Sequence, residues 1–222
     1  MKNFVTVLVA LVSAYVLLLQ QSCVQSSPHS PLTPPLIIGI AYDISGSMHK
    51  SNNTVLQTVH IDSLILSVKR GGGTIAFGLI HNNSFEPLDR LVLEPVVGRL
   101  DERALKNRKN KQEVEQFRST VLTKLTQPRK SRYTDINGSL ERFTLLFNEP
   151  GFSAESKKLF IFLSDGLHEP RRKRYNAVKF PENVTVVAVG LKPAIAQKLF
   201  NGKVLQFESV AAAIIYIINM EM

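Results

Sequence analysis

The sequence predicts an α/β protein: a Rossmann-like, doubly wound, mostly parallel six-stranded sheet with helices on both faces. Three observations carry this. First, Leu36–Tyr42 and Leu159–Leu163 are apolar runs of strand length, as expected of strands buried on both faces. Second, strand-like runs alternate with helix-periodic segments, the pattern of parallel strands joined by crossover helices. Third, each of the two runs leads into a polar loop carrying a carboxylate: Asp43-Ile44-Ser45-Gly46-Ser47 after the first and Ser164-Asp165-Gly166 after the second. Ligands of open α/β sheets bind beyond the C-terminal strand ends, where these loops would meet.

The elements follow in order. Leu36–Tyr42 is the first strand. Thr54–Lys69 places Val55, Val59, Leu64, Ile65 and Val68 at mostly helical spacing and is closed by Gly71-Gly72-Gly73. Thr74–Ile80 reads as a strand. Asp89–Val97, bounded by Pro87 and Pro95, reads as a short edge strand, where proline is tolerated. Gly98–Arg132 is strongly basic, with eleven Lys/Arg against four Asp/Glu between Arg99 and Arg132. Its second half carries the stripe Val114, Phe117, Val121, Leu122 and Leu125, a helix able to dock on the sheet. Its first half, RLDERALKNRKNKQ, is mostly polar and is read as a solvated helix end or a mobile loop. From Thr134 a further helical pattern runs through Ile136, Leu140, Phe143, Leu146 and Phe147 to Asn148-Glu149-Pro150-Gly151. Val184–Val189 is a strand, Ala194–Phe200 a short helix, Val204–Phe207 a last strand and Ala211–Asn219 a final helix.

Residues 1–22 read as an export segment: Lys2, the apolar run Phe4–Leu19, then Gln20-Gln21-Ser22-Cys23. A lipoprotein signal with Cys23 acylated, an ordinary secretory signal and an uncleaved anchor are the three readings, and each places the remainder outside the cytoplasm. Residues 23–35, including SSPHSPLTPP, form a Pro/Ser-rich tether, and 36–222 is one domain with a basic insertion at 98–132. Cys23 is the only cysteine, so no disulfide framework or thiolate metal site is expected. The formal charge of +9 favours acidic partners or an anionic surface. Without a recognised nucleic-acid module in an exported chain, nucleic acid is not an expected partner. Membrane contact is expected only through the N-terminal segment or Cys23 lipidation.

Asp43, Ser45 and Ser47 alternate along one tight loop, and Gly46 lets its backbone turn sharply. With the Thr134 hydroxyl and the Asp165 carboxylate they make five oxygen-bearing groups. Hydroxyls and carboxylates without His or Cys are hard ligands suited to Mg²⁺, Mn²⁺ or Ca²⁺. Mg²⁺ wants six oxygens, so such a shell is incomplete and can accept an external carboxylate.

At these residues the chain resembles the von Willebrand factor A (VWA) domain. LIIGIAYDISGS resembles its first strand with the D-x-S-x-S metal-ion-dependent adhesion site (MIDAS). RYTDINGSLERF resembles its Thr-bearing loop and helix, and LFIFLSDG its later strand and Asp. The resemblance covers about residues 36–222. It implies the sheet order 3-2-1-4-5-6 with one short antiparallel edge strand. It further implies that Ser45, Ser47 and Thr134 contact the metal directly, that Asp43 and Asp165 act largely through bound waters, and that a partner's Glu or Asp fills the sixth position. Segment 98–132 would fall on or near the rim of that site.

Other readings compete. D-x-S-x-S alone is also a helix cap or turn, Thr134-Asp135 an N-cap pair, and Asp165-Gly166 a plain turn. His49, His81 and His168 are scattered without metal-ligand spacing. His49 and His168, with Arg171, Arg172 and Arg174 from the run Arg171–Arg174, are candidates for a basic rim that draws an acidic partner, or else ordinary solvated residues. The alternative function is a Mg²⁺-dependent, haloacid-dehalogenase-like phosphatase with Asp43 as nucleophile. That family needs a second Asp two residues on, where this chain has Ser45, so its usual general acid is missing. A serine-hydrolase site fails too, because Ser45 lacks the G-x-S-x-G setting. The sequence therefore favours a non-enzymatic, metal-dependent protein-binding module.

Overall fold

The computed structural model describes residues 34–46, 48, 52–126, 131–169 and 179–221. The export segment 1–22 and most of the tether lie outside them. Six strands form one sheet: β1 (Leu36–Asp43), β2 (Gly73–Ile80), β3 (Asp89–Leu93), β4 (Lys157–Leu163), β5 (Thr185–Val189) and β6 (Val204–Phe207). Their order is β3-β2-β1-β4-β5-β6. All neighbours pair in parallel except β2 and β3, which are antiparallel. The helices are α1 (Thr58–Gly71), α2 (Leu100–Thr126), α3 (Ile136–Phe147), α4 (Pro193–Leu199) and α5 (Val210–Glu221). This is the predicted fold class, with the expected antiparallel edge strand.

β1 is the central strand and is buried along its whole length. Successive side chains of a strand point to opposite faces, and β1 divides accordingly. Ile38, Ile40 and Tyr42 join the core beneath α1, α2 and α5, with Leu64, Phe117 and Ile214. Ile37 and Ala41 join the opposite core beneath α3 and α4. Phe143, Phe147, Phe160, Phe162, Phe180 and Phe200 interlock on that second face, ring centroids 4.8–6.2 Å apart. Gly39 makes room for them, since a Cβ there would stand 2.8 Å from the Phe143 ring.

One sequence alternative is decided and one expectation changes. The first half of the basic segment is the solvated helix end and not the mobile loop: Leu100–Thr126 is a single helix of 27 residues. No Gly or Pro interrupts it, and Ala, Leu, Arg, Lys, Glu and Gln are good helix formers whatever their polarity. The segment also does not rim the candidate site as a whole. Asn110 exchanges hydrogen bonds with the backbone of Glu94, just past β3, at 2.9 and 3.2 Å. Lys124 pairs with Asp89 at the other end of β3, at 2.6 Å. α2 therefore runs antiparallel to β3, and its most basic part lies at the N-terminal edge of the parallel strands, away from Asp43. Smaller shifts occur at the boundaries: β3 ends at Leu93, α1 begins at Thr58, and α3 begins after Asp135.

Candidate functional site

Asp43 is the last residue of β1, and Ile44 is still held to β2 by a 3.2 Å bond from its N–H to Ile80 O. The Asp43 side chain is fully buried. Its Oδ1 accepts from the Ser45 N–H and its Oδ2 from the Ser164 hydroxyl, both at 2.7 Å. Ser164 Oγ in turn accepts from the Gly166 N–H at 3.0 Å. The ends of β1 and β4, 121 residues apart in sequence, are thus joined through one carboxylate. Asp165 Oδ1 accepts from the Leu167 N–H at 3.0 Å, and Gly166 holds the turn at φ 76°, a left-handed angle that favours glycine.

Burial pushes the Asp43 carboxyl above the ordinary Asp range. Hydrogen bonds from Ser164 and Ser45 work against that shift, and the nearby Asp165 charge adds to it. A buried carboxylate beside a second one is a place where a cation relieves both penalties.

The Thr134 loop is fastened to the same edge by its backbone. Thr134 and Glu169 exchange N–H···O bonds of 2.9 Å each way. Ser131 bridges to Ser45, and the Asp135 N–H donates to His81 O at 2.9 Å. Asp135 is the N-cap of α3, its Oδ1 accepting from the Gly138 N–H at 3.0 Å. His168 Nδ1 accepts from the Ile136 N–H at 3.1 Å, so His168 caps the same helix end with Nδ1 unprotonated. Burial lowers the His168 pKa, with Asp135 pulling it back up. Its Nε2 is buried, while the residue as a whole is half-buried.

Ser45, Gly46, Ser131, Arg132, Thr134, Leu167 and Glu169 line a cavity of about 270 Å³. Of the expected site residues, Asp43, Ser45, Thr134 and Asp165 come together at this edge. Ser47, His49, Arg171, Arg172 and Arg174 lie outside the described residues. Sequence reading did not assign Ser164, Arg132 or Glu169. Ser164 had a signal, since it sits within Ser-Asp-Gly at a buried strand end. Glu169 and Arg132 had none, because their place depends on the Thr134–Glu169 bridge.

The donor set fits a hard divalent cation. Among the described residues no three His, Cys, Asp or Glu side chains group as a metal site. What the edge offers is two carboxylates and hydroxyls, with space beside Ser45 and Thr134.

Sheet order and the antiparallel edge strand are those the VWA resemblance implies. The fold is von Willebrand factor A-like. Neither a family model nor a curated protein matches the sequence. Among solved structures, the pilus adhesin SpaC from Lactobacillus rhamnosus GG aligns with TM-score 0.51 and 12% identity, over 85% of this chain and 30% of that one. A von Willebrand factor type A protein from Catenulispora acidiphila aligns with TM-score 0.48 and 14% identity, over 85% and 42%. Manganese-loaded TRAP protein of Plasmodium vivax aligns with TM-score 0.41 and 14% identity, over 82% and 72%. At such identities the likeness is one of fold. This chain spans less than half the length of the first two.

Proposed function

We propose that this protein is an exported, metal-dependent protein-binding module, in which a divalent cation at the Asp43 edge coordinates an acidic residue of a partner. The reading rests on one observation above all: the ends of β1 and β4 are joined through the fully buried Asp43 carboxylate, and the neighbouring Ser45 lines an open cavity together with Thr134. Ser45, Ser47 and Thr134 would supply hydroxyl oxygens, and Asp43 and Asp165 charge. Mg²⁺, Mn²⁺ or Ca²⁺ would supply a Lewis-acidic position open to a partner carboxylate. Both Asp43 oxygens already accept hydrogen bonds, which suits action through the hydroxyls and waters they orient. Arg132, on the cavity wall, would attract an acidic partner. The likeness to an adhesin's fold agrees with an interaction role, while the export readings of residues 1–22, lipoprotein included, place that role outside the cytoplasm.

The phosphatase alternative loses ground. A nucleophile must reach its substrate, but Asp43 is fully buried with both oxygens engaged, and the position two residues on is Ser45. Among the described residues, no helix is long and apolar enough to cross a membrane.

The test is capture of partners from the native envelope by the full-length chain, with Mg²⁺ and with EDTA, beside Asp43→Ala. Capture that needs both the metal and Asp43 supports the reading. Capture that survives EDTA or the substitution places partner binding elsewhere, and phosphatase turnover dependent on Asp43 would restore the enzyme.

A further inference from the structure

The N-terminal half of α2 extends past the sheet. Asn110 lies level with Glu94, just beyond the end of β3. At 1.5 Å per residue, Leu100–Lys109 therefore projects by about 15 Å. Four basic residues, Arg103, Lys106, Arg108 and Lys109, stand in this stretch against Asp101 and Glu102, with Arg99 and Lys111 flanking it. Lys109 is held by Glu94 and Lys106 by Val97 O, but Arg103 and Arg108 have no ion-pair partner among the described residues. Two leucines face solvent here as well, Leu100 at 83% and Leu105 at 69% exposure.

A structural helix end needs neither feature. Exposed leucines between arginines weaken solubility, and a solvated helix gains more from balanced charges than from an excess of one sign. The neighbouring surface repeats the combination. Between α1 and α2 lies a cavity of about 490 Å³ with Ile65, Leu66, Leu93 and Val114 on its walls; its charged lining is Lys69, Lys111 and Asp62, whose carboxylate is paired with Arg118 at 2.9 Å. Basic groups around an apolar recess match one class of partner closely: amphiphiles with anionic heads.

We propose that the projecting half of α2, with this recess, docks on an anionic lipid surface. Arg103 and Arg108 meet headgroups, Leu100 and Leu105 enter the interface on two sides of the projecting tip, and the recess accepts an acyl chain. β1 begins at this same edge with Leu36, so the chain enters the sheet on the side that would face the bilayer. Asp43 and Thr134 sit at the opposite edge and are left facing away from the lipid. This membrane contact does not depend on the metal site and adds to any made by residues 1–22.

Hydrogen–deuterium exchange on the full-length chain tests it, with vesicles of phosphatidylcholine alone and of phosphatidylcholine with phosphatidylglycerol. Amides of Leu100–Lys109 should exchange several-fold more slowly on the anionic vesicles than on neutral ones. Arg103→Glu with Arg108→Glu should abolish that difference, with a loss of anionic-surface affinity of more than about thirtyfold. The same exchange on both vesicle types, or an unchanged difference in the double variant, overturns the proposal. Slowing by soluble polyglutamate but not by vesicles would overturn it in favour of an acidic protein partner.

Discussion

At the C-terminal end of the parallel strands, negative charge is buried in short loops; at the N-terminal end, positive charge is held out on a long helix. The first end is stitched by backbone. Thr134 and Glu169 exchange two hydrogen bonds, Ser45 bridges Ser131, and Asp43 clamps Ser45 to Ser164. The second end is carried by one helix anchored through Asn110, Lys109 and Arg118. Hence the two ends should respond to different perturbations. A desolvated carboxylate interacts strongly over a few ångströms and is little screened, whereas exposed arginines act weakly, additively and in a salt-dependent manner.

The sharpest way to break both ends together is to damage the core they share. Phe160 is fully buried and touches the rings of Phe143, Phe147, Phe162, Phe180 and Phe200. Phe160→Ala should cost about 3–5 kcal/mol in urea unfolding. A loss under about 1 kcal/mol would mean that this cluster is far looser than its geometry.

Asp43→Asn separates the ends. It should weaken Mg²⁺ binding by about 100-fold in calorimetry, yet raise metal-free stability. The native Asp43 pKa lies above its ordinary value because of burial, so over that window the native state binds more protons than the unfolded one. Stability contributed at Asp43 is therefore lost as pH rises through the native pKa, and above that pKa the penalty of the buried charge is present in full. Asn keeps an acceptor for the Ser45 N–H without the charge. In EDTA its melting temperature should exceed wild type by about 3 °C, equivalent to roughly 1 kcal/mol in a domain of this size. The gap should close as pH falls through the Asp43 pKa. A destabilised Asn variant at neutral pH would show that the charge is already compensated without metal.

How much of this was legible in the sequence follows from the same physics. LIIGIAYD and KLFIFL announce themselves because strands buried on both faces must be apolar throughout, and the loops after them could be placed from fold class alone. The first half of α2 could not be read from hydrophobic period, since it buries little and is held by propensity. Its direction was hidden too, because it depends on Asn110 meeting Glu94 and Lys124 meeting Asp89. Within the site, Asp43, Ser45, Thr134 and Asp165 were legible as a motif. The functions of Ser164 as clamp and His168 as cap were not, since each depends on a partner distant in sequence.

Arg103→Glu with Arg108→Glu is the converse of Asp43→Asn. Mg²⁺ affinity should stay within about twofold of wild type at physiological ionic strength, because the charges lie more than a Debye length of about 8 Å from Asp43. A larger change would mean that the basic helix does tune the metal edge, and the two ends could no longer be treated as independent.

The smallest expected effect sets the boundary of the site itself. Asp135 neighbours Thr134 but spends its carboxylate on the Gly138 N–H at 3.0 Å. Asp135→Ala removes that cap and should cost about 1 kcal/mol, measured by urea unfolding. It also removes the negative charge that pulls the His168 pKa upward against burial. The His168 pKa should therefore fall further, so that its ring stays neutral to lower pH, which NMR titration of the imidazole would register. Mg²⁺ affinity should drop only a few-fold, through the loosened Thr134 loop. If it drops as far as in Asp43→Asn, Asp135 belongs to the metal shell, and the cap in the metal-free protein is a resting partner that the cation displaces.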